Sequence, residues 1–154
     1  MIIRPLTAGE AALARETFGA ALNPAPVRLL FHRLRFPFAV ALGPLITIPG
    51  GPRADLSQES PEVAAWLVHE LTHVWQWRTR PLWAVLSWAR LALAGGYGPG
   101  LPGYRYTLPA HWGELNLEQQ AAVMEDRLRL MKGASVRHGP AGATLAAYRG
   151  LAPF

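Results

Sequence analysis

One short stretch of the sequence contains two histidines and a glutamate whose side chains meet on one side only if the stretch is an α-helix. Within residues 68–76, His69 and His73 are four positions apart, and Glu70 follows the first histidine. Positions four apart lie on the same face of an α-helix, so both imidazoles can reach a single metal ion. Glu70 lies beside that face and can reach a water molecule held by the ion. The spacing therefore predicts a helix that carries a metal site.

The sequence around this stretch also favours a helix. Ser60 can cap the N-terminus, Pro61 suits the first helical position, and Pro81 should end the helix. Residues 69–73 match the HExxH motif of zinc hydrolases, in which the glutamate acts as a general base. The alternative is a buried helix whose two histidines make ordinary hydrogen bonds.

Composition limits the kind of metal site and the kind of fold. The 154 residues are 51% hydrophobic and 16% charged, which is typical of one globular domain spanning residues 1–154. There is no cysteine, so zinc would have to be held by histidine and carboxylate.

The charge and the N-terminus bear on partners and location. The net charge of +5 comes from arginines scattered between Arg4 and Arg149, without a dense basic tract, so no specific nucleic-acid binding is expected. The N-terminal residues do not resemble a secretory signal, which makes the cytoplasm the default location, with export by a specialised system left open.

The segments before the motif predict an α+β fold. A capping box at Thr7 and Glu10 predicts a helix that runs to about Gly19. Short apolar segments punctuated by proline and glycine then predict a small antiparallel sheet with strands at residues 27–32, 38–42 and 45–48. An exposed edge of this sheet could bind an extended peptide by strand addition, or the strands could serve the core alone.

The segments after the motif predict further helices and a loop. The apolar run at 82–95 includes Arg90 and is shorter than the roughly 20 residues needed to cross a bilayer, so it predicts a buried helix and no transmembrane segment. The glycine- and proline-rich segment 95–103 is typical of a functional loop or lid. A short strand or an extended segment at 104–108, a helix at 116–131 and a short helix at 144–148 complete the prediction.

A catalytic zinc site needs a third protein ligand besides the two histidines. We expect Glu118, because it lies near the start of a second helix whose neighbours can pack against the first. Glu114 and His111 are the main alternatives, and Glu118 could instead be a solvated helix acid. The other candidates for the third ligand are Glu125, Asp126, His138 and His32. Three residues are candidates for stabilising an oxyanion in peptide hydrolysis, namely Tyr104, Tyr106 and His111.

Three segments together resemble a known group of proteins. Residues 4–7 (Arg-Pro-Leu-Thr), 69–76 and 116–121 look like those of small bacterial proteins called Vgr-related. These are similar to the metallopeptidase domain found with extracellular contractile injection systems. The resemblance implies a zincin-like fold of the gluzincin type, a peptide or protein substrate, and proteins of an injection apparatus as partners.

The resemblance also implies roles for individual residues. His69, His73 and Glu118 would bind Zn²⁺, and Glu70 would be the general base. Gluzincins often carry an acid one turn after the ligand glutamate, whereas this chain has Ala122 there. Loss of such a partner weakens a metal site, so a second hypothesis is a non-catalytic zinc-binding or structural module associated with a secretion or injection apparatus. In that case Asn116 or a backbone carbonyl could orient the histidine instead.

Overall fold

The computed structural model describes residues 1–34, 38–95 and 102–154. Its described part is α+β, with a four-stranded mixed sheet and four α-helices. The strands are β1 (Ile2–Pro5), β2 (Arg28–His32), β3 (Val40–Leu42) and β4 (Leu45–Pro49). The helices are α1 (Ala8–Phe18), α2 (Pro61–Thr79), α3 (Pro81–Leu93) and α4 (Leu117–Met131).

The sheet has the strand order β1-β2-β4-β3, which leaves β1 and β3 at its edges. β1 and β3 each run antiparallel to their neighbour, but β2 and β4 are parallel. The prediction of an antiparallel sheet is therefore wrong for this central pair, and β1 was not predicted. The parallel register pairs Leu29 with Ile46 and Phe31 with Ile48, all four of them buried, whereas β3 has one buried residue and suits an edge.

The two helix starts predicted at Thr7 and at Ser60, the second of which begins the helix that carries the motif, are confirmed. Thr7 and Glu10 form the capping box of α1, and Ser60 accepts a hydrogen bond from the backbone N–H of Val63 at the start of α2. α2 is buried along most of its length, between the sheet and α4. The motif therefore lies at the centre of the fold, on a helix fixed on both sides.

α3 differs from the prediction of a buried helix. Ala84 is its one buried residue, while Leu82 is 71% and Leu93 is 90% exposed. The helix packs along one side only, against α2 and the start of α4, where Ser87 Oγ accepts a hydrogen bond from the backbone N–H of Leu117. Val85, Leu86 and Trp88 are also exposed, whereas Trp83, Ala89 and Leu91 are half-buried.

The C-terminal third follows the prediction in part. α4 begins with a capping box formed by Asn116 and Gln119, and residues 145–148 form a 3₁₀ turn. Of the two alternatives predicted for 104–108, the strand is not formed: a 3₁₀ turn ends at Tyr104, and backbone without regular structure follows. Of the glycine-rich segment 95–103, residues 96–101 lie outside the described residues. Among the described residues, the helices are all too short or too polar to span a bilayer.

Candidate metal centre

α2 and α4 bring three potential metal ligands together in a buried site. One carboxylate oxygen of Glu118, Oε2, lies 3.2 Å from Nε2 of His69 and 3.3 Å from Nε2 of His73. The histidines lie one turn apart on α2, and Glu118 lies in the first turn of α4, which packs across it. The side chains of all three are at most 10% exposed. The structure thus assembles the group that the sequence predicts.

His73 is oriented by a chain of amide groups. Gln76 Nε2 donates to the backbone carbonyl of Leu117 and to Oε1 of Gln120, which leaves Gln76 Oε1 facing Nδ1 of His73 at 2.8 Å. An amide oxygen only accepts, so Nδ1 must carry the proton. The other ring nitrogen, Nε2, then faces Glu118. Gln76 lies within residues 68–76 but was not predicted to have this role.

His69 is oriented by a second acid on α4. Nδ1 of His69 lies 3.1 Å from Oε2 of Glu125, an ion-pair distance at which the N–H is not aligned for a good hydrogen bond. Glu125 is seven residues after Glu118, two turns along the same face of α4. Glu125 therefore supplies the acid beside a metal-binding histidine that was not expected because Ala122 is not acidic. Asn116, the alternative for this role, caps the helix instead. A carboxylate behind a metal-binding histidine fixes its tautomer and raises its basicity.

Glu125 is itself held by a turn that packs against the end of the site. Asp126 is fully buried and accepts hydrogen bonds from the backbone N–H groups of Arg137, His138 and Gly139. This holds His138 with its Nε2 3.2 Å from Glu125 Oε2. Glu125 thereby lies between two imidazoles, and a second group of potential ligands forms from His69, Glu125 and His138.

The three residues on α2 and α4 fit a zinc ion. Zinc binds nitrogen and oxygen ligands at about 2.0–2.2 Å, so the corners of its tetrahedron are roughly 3.3–3.5 Å apart. The two separations from Glu118 Oε2, 3.2 and 3.3 Å, are close to that spacing. The donor set of two neutral imidazoles and one carboxylate is also one that catalytic zinc accepts.

The electrostatics of the metal-free site reflect the same concentration of charge. Burial alone would lower the pKa of His69, but the carboxylates of Glu118 and Glu125 outweigh it and raise that pKa to about 10. Burial opposes ionisation of both acids, yet the facing histidines hold the pKa of each well below its ordinary value. Without a metal, the positive charge between the two acids is therefore carried by protonated histidine, at the position where a metal cation would bind.

Glu70 lies beside this group with one oxygen unused. The residue is 5% exposed, and its Oε2 is buried without a hydrogen-bond partner among the described residues. Burial raises the pKa of Glu70 above its ordinary value, an effect that the nearby His73 and His69 partly offset. An unpartnered buried carboxylate oxygen costs free energy, so its retention here indicates a role for that atom.

The candidates for oxyanion stabilisation lie in different places. Tyr104 stacks on His69, with ring centroids 5.9 Å apart and planes at 14°. The Tyr106 hydroxyl contacts Asp126 and Tyr148 in a separate apolar cluster, so the structure does not bring it to the metal group. His111 is exposed, as is the alternative ligand Glu114, and neither joins the group.

Two neighbouring cavities open on either side of the motif, with volumes of about 430 and 450 Å³. Ala39, His69, Glu70 and Tyr104 line both of them. The first is more polar and includes Arg53, Glu62, Trp66 and Arg137; the second is more apolar and includes Leu42, Trp77, Val85 and Trp88. Together they form a cleft along the edge strand β3, with Glu70 where the two halves meet.

Comparison with known proteins gives one informative likeness. No protein-family model matches the sequence, and no curated protein gives a significant match. The structure is similar to the effector domain of Pseudomonas aeruginosa VgrG2b, with a TM-score of 0.68 and 25% sequence identity. The match covers 94% of this chain and 79% of the other. This likeness supports the resemblance to Vgr-related proteins.

Proposed function

We propose that this protein is a zinc-dependent metallopeptidase with a zincin-like fold of the gluzincin type. The observation that carries the proposal is the unpartnered oxygen of Glu70, buried beside three convergent ligand atoms at the middle of a cleft. A structural zinc site has no need of an additional, unpaired carboxylate beside its ligands. A hydrolytic site does need one, because a proton must leave the attacking water.

In this proposal His69, His73 and Glu118 hold the ion. A bound zinc supplies Lewis acidity, which polarises a peptide carbonyl and lowers the pKa of water at the site. Glu70 Oε2 accepts the proton of the attacking water and then delivers it to the leaving amine. Burial favours this second role, since it raises the pKa of Glu70 and so stabilises its protonated form.

The residues around the ligands prepare them for this chemistry. Gln76 and Glu125 orient both histidines, so that each Nε2 faces Glu118 before a metal binds. The proton that the neighbouring acids hold on His69 would be displaced when zinc binds. Tyr104, which stacks on His69 and lines both halves of the cleft, is the best placed of the sequence candidates to donate a hydrogen bond to an oxyanion.

The substrate would be a peptide or protein segment in extended form. β3 is an edge strand, and its residues line the apolar half of the cleft, so its free backbone groups can pair with an added strand. Strand addition would place a scissile peptide bond over Glu70, where the two halves meet.

The proposal is tested by Glu70→Gln in zinc-loaded protein. Cleavage of an unfolded protein such as reduced casein should fall by about 10²–10⁴-fold, because the general base is lost, while zinc content stays at the wild-type value. Glu114→Gln is the matched control: it removes an exposed glutamate outside the group, and both activity and zinc content should be unchanged. Undiminished cleavage by Glu70→Gln would rule out this mechanism.

A second candidate is a non-catalytic zinc-binding or interaction module associated with a secretion or injection apparatus. The likeness to the effector domain of VgrG2b favours an association of this kind, and export with such an apparatus would take the chain out of the cytoplasm. This candidate predicts bound zinc without proteolysis, and it predicts that His69→Ala lowers thermal stability through loss of the ion.

A further inference from the structure

One face of α3 is apolar and exposed over the whole length of the helix. Leu82, Val85, Leu86, Ala89 and Leu93 follow the spacing of a single helical stripe. The exposed fractions of its large side chains are 71% for Leu82, 42% for Val85, 50% for Leu86 and 90% for Leu93. Four large apolar side chains exposed in one stripe make this face a candidate interaction surface, and the residues that border it indicate the kind of partner.

The charged residues on α3 and just before it are all arginines. Arg78 and Arg80 are exposed at the N-terminal end of α3, and Arg90 is exposed at the border of the stripe. The sequence has no aspartate or glutamate between Glu70 and Glu114. Trp88, 45% exposed, lies on the border opposite Arg90. The acids nearest to this helix in the cleft, Glu70 and Glu118, are buried, so the exposed charges of α3 and its N-terminal end are positive. An apolar stripe bordered by tryptophan and exposed arginines is complementary to a surface that is apolar inside and negatively charged outside.

We propose that the exposed face of α3 docks onto the surface of an anionic lipid bilayer. A helix of 13 residues is about 20 Å long, short of the roughly 30 Å of a bilayer core, so it would lie in the interface rather than cross. The leucines would enter the acyl region, and the arginines would remain among the headgroups.

The size of the face argues against a second copy of the chain as its occupant. A helix about 20 Å long and 10–12 Å wide offers roughly 200 Å², whereas a stable dimer buries about 800 Å² on each partner. A bilayer has no such threshold, because binding there scales with the apolar area inserted and with the basic residues near the surface.

Docking would also set the position of the cleft. Val85 and Trp88 line its apolar half and belong to the exposed side of α3. A bilayer on this face would therefore lie next to the opening of that half, while Arg53 and Arg137, in the other half, would be farther from it. The test of this proposal does not depend on peptidase activity, since binding to vesicles can be measured whether or not the protein cleaves peptides.

The test is co-sedimentation with phosphatidylglycerol–phosphatidylcholine vesicles and with phosphatidylcholine vesicles alone. Wild-type protein should bind the anionic vesicles, and Leu86→Glu should weaken that binding by about tenfold or more, because a leucine can no longer be inserted. Met131→Glu is the matched control: it makes the same change at a side chain of similar exposure, 48%, at the far end of α4, and should bind as wild type does. Arg90→Gln should weaken binding by about fivefold.

Three results would overturn the proposal. One is wild-type protein that binds neither kind of vesicle, or both equally well. Another is an equal loss of binding in Leu86→Glu and Met131→Glu. The third is wild-type protein that is dimeric by analytical ultracentrifugation and becomes monomeric in Leu86→Glu, which would show that the face joins two copies of the chain. Thermal unfolding of each variant checks that a loss of binding is not a loss of fold.

Discussion

Two buried glutamates, one at the start of α1 and one in the middle of α2, are used in opposite ways. Glu10 is fully buried, and both of its oxygens are paired: Arg4 donates to them at 2.7 and 2.8 Å, and the backbone N–H groups of Thr7 and Leu56 donate as well. Glu70 is buried almost as deeply, yet its Oε2 has no partner among the described residues.

The difference in partners shifts the two carboxyl groups in opposite directions. Burial opposes ionisation of Glu10, but the hydrogen bonds from Arg4, Leu56 and Thr7 outweigh it and lower its pKa. Burial also opposes ionisation of Glu70, and the nearby His73 and His69 offset it only in part, so the pKa of Glu70 is raised above its ordinary value. A buried acid whose pKa is lowered by hydrogen-bond partners stabilises the fold, whereas one that is left partly unpaired is a candidate for function. Within one small domain, Glu10 is thus a carboxylate that stabilises the fold, and Glu70 is a candidate for a role in catalysis.

The largest difference between the two glutamates is expected when each is neutralised and the free energy of unfolding is measured. Glu10→Gln should lower the free energy of unfolding by about 3 kcal/mol, because Arg4 loses its charged partner in a largely buried pair. Glu70→Gln should not lower it in the metal-free protein, since a desolvated carboxylate is replaced by a neutral amide. Urea unfolding of the metal-free proteins measures both values, and equal destabilisation would show that Glu70 too is structural.

A second prediction concerns the acid behind His69. Glu125→Gln should weaken zinc binding by roughly 10–100-fold, equivalent to about 1.4–2.7 kcal/mol, because the histidine loses a charged partner at Nδ1. Competition with a zinc chelator measures the affinity, and Glu114→Gln serves again as the control. An unchanged affinity would mean that Glu125 does not support the ligand, and that Ala122 marks a real gap in the site.

The smallest expected effect is the pH dependence of the Glu10 pair. The pKa of Glu10 is lowered in the folded protein, so its contribution is present above the ordinary value of about 4.5 and is lost as pH falls through the folded pKa. The difference in unfolding free energy between wild type and Glu10→Gln should therefore be larger at pH 7 than at pH 3. Urea unfolding of metal-free protein at the two pH values measures it, and a constant difference would contradict the account.

The parts of this structure that follow local rules could be predicted from the sequence. Thr7 and Ser60 mark helix starts because a side-chain oxygen caps backbone N–H groups within the same turn. The histidine spacing on α2 and the choice of Glu118 depend on helix periodicity and on one helix-to-helix contact. Each of these signals lies within a few residues or requires a single packing step.

The parts that depend on contacts between distant segments could not be predicted in this way. His138 reaches Glu125 only because Asp126 holds the backbone of residues 137–139, twelve positions away. The parallel pairing of β2 with β4 is equally non-local, since alternating apolar residues suit either strand direction. The exposure of α3 was mispredicted because an apolar run was assumed to be buried, although exposed apolar surface also serves binding.

The most direct test of the central claim is a zinc titration of the metal-free protein that follows peptide cleavage. We expect no cleavage before zinc is added, a rise to a maximum at about one equivalent, and no rise in Glu70→Gln at any zinc concentration. Cleavage by the metal-free protein, or one bound zinc with no cleavage of any unfolded substrate by wild type, would contradict the claim.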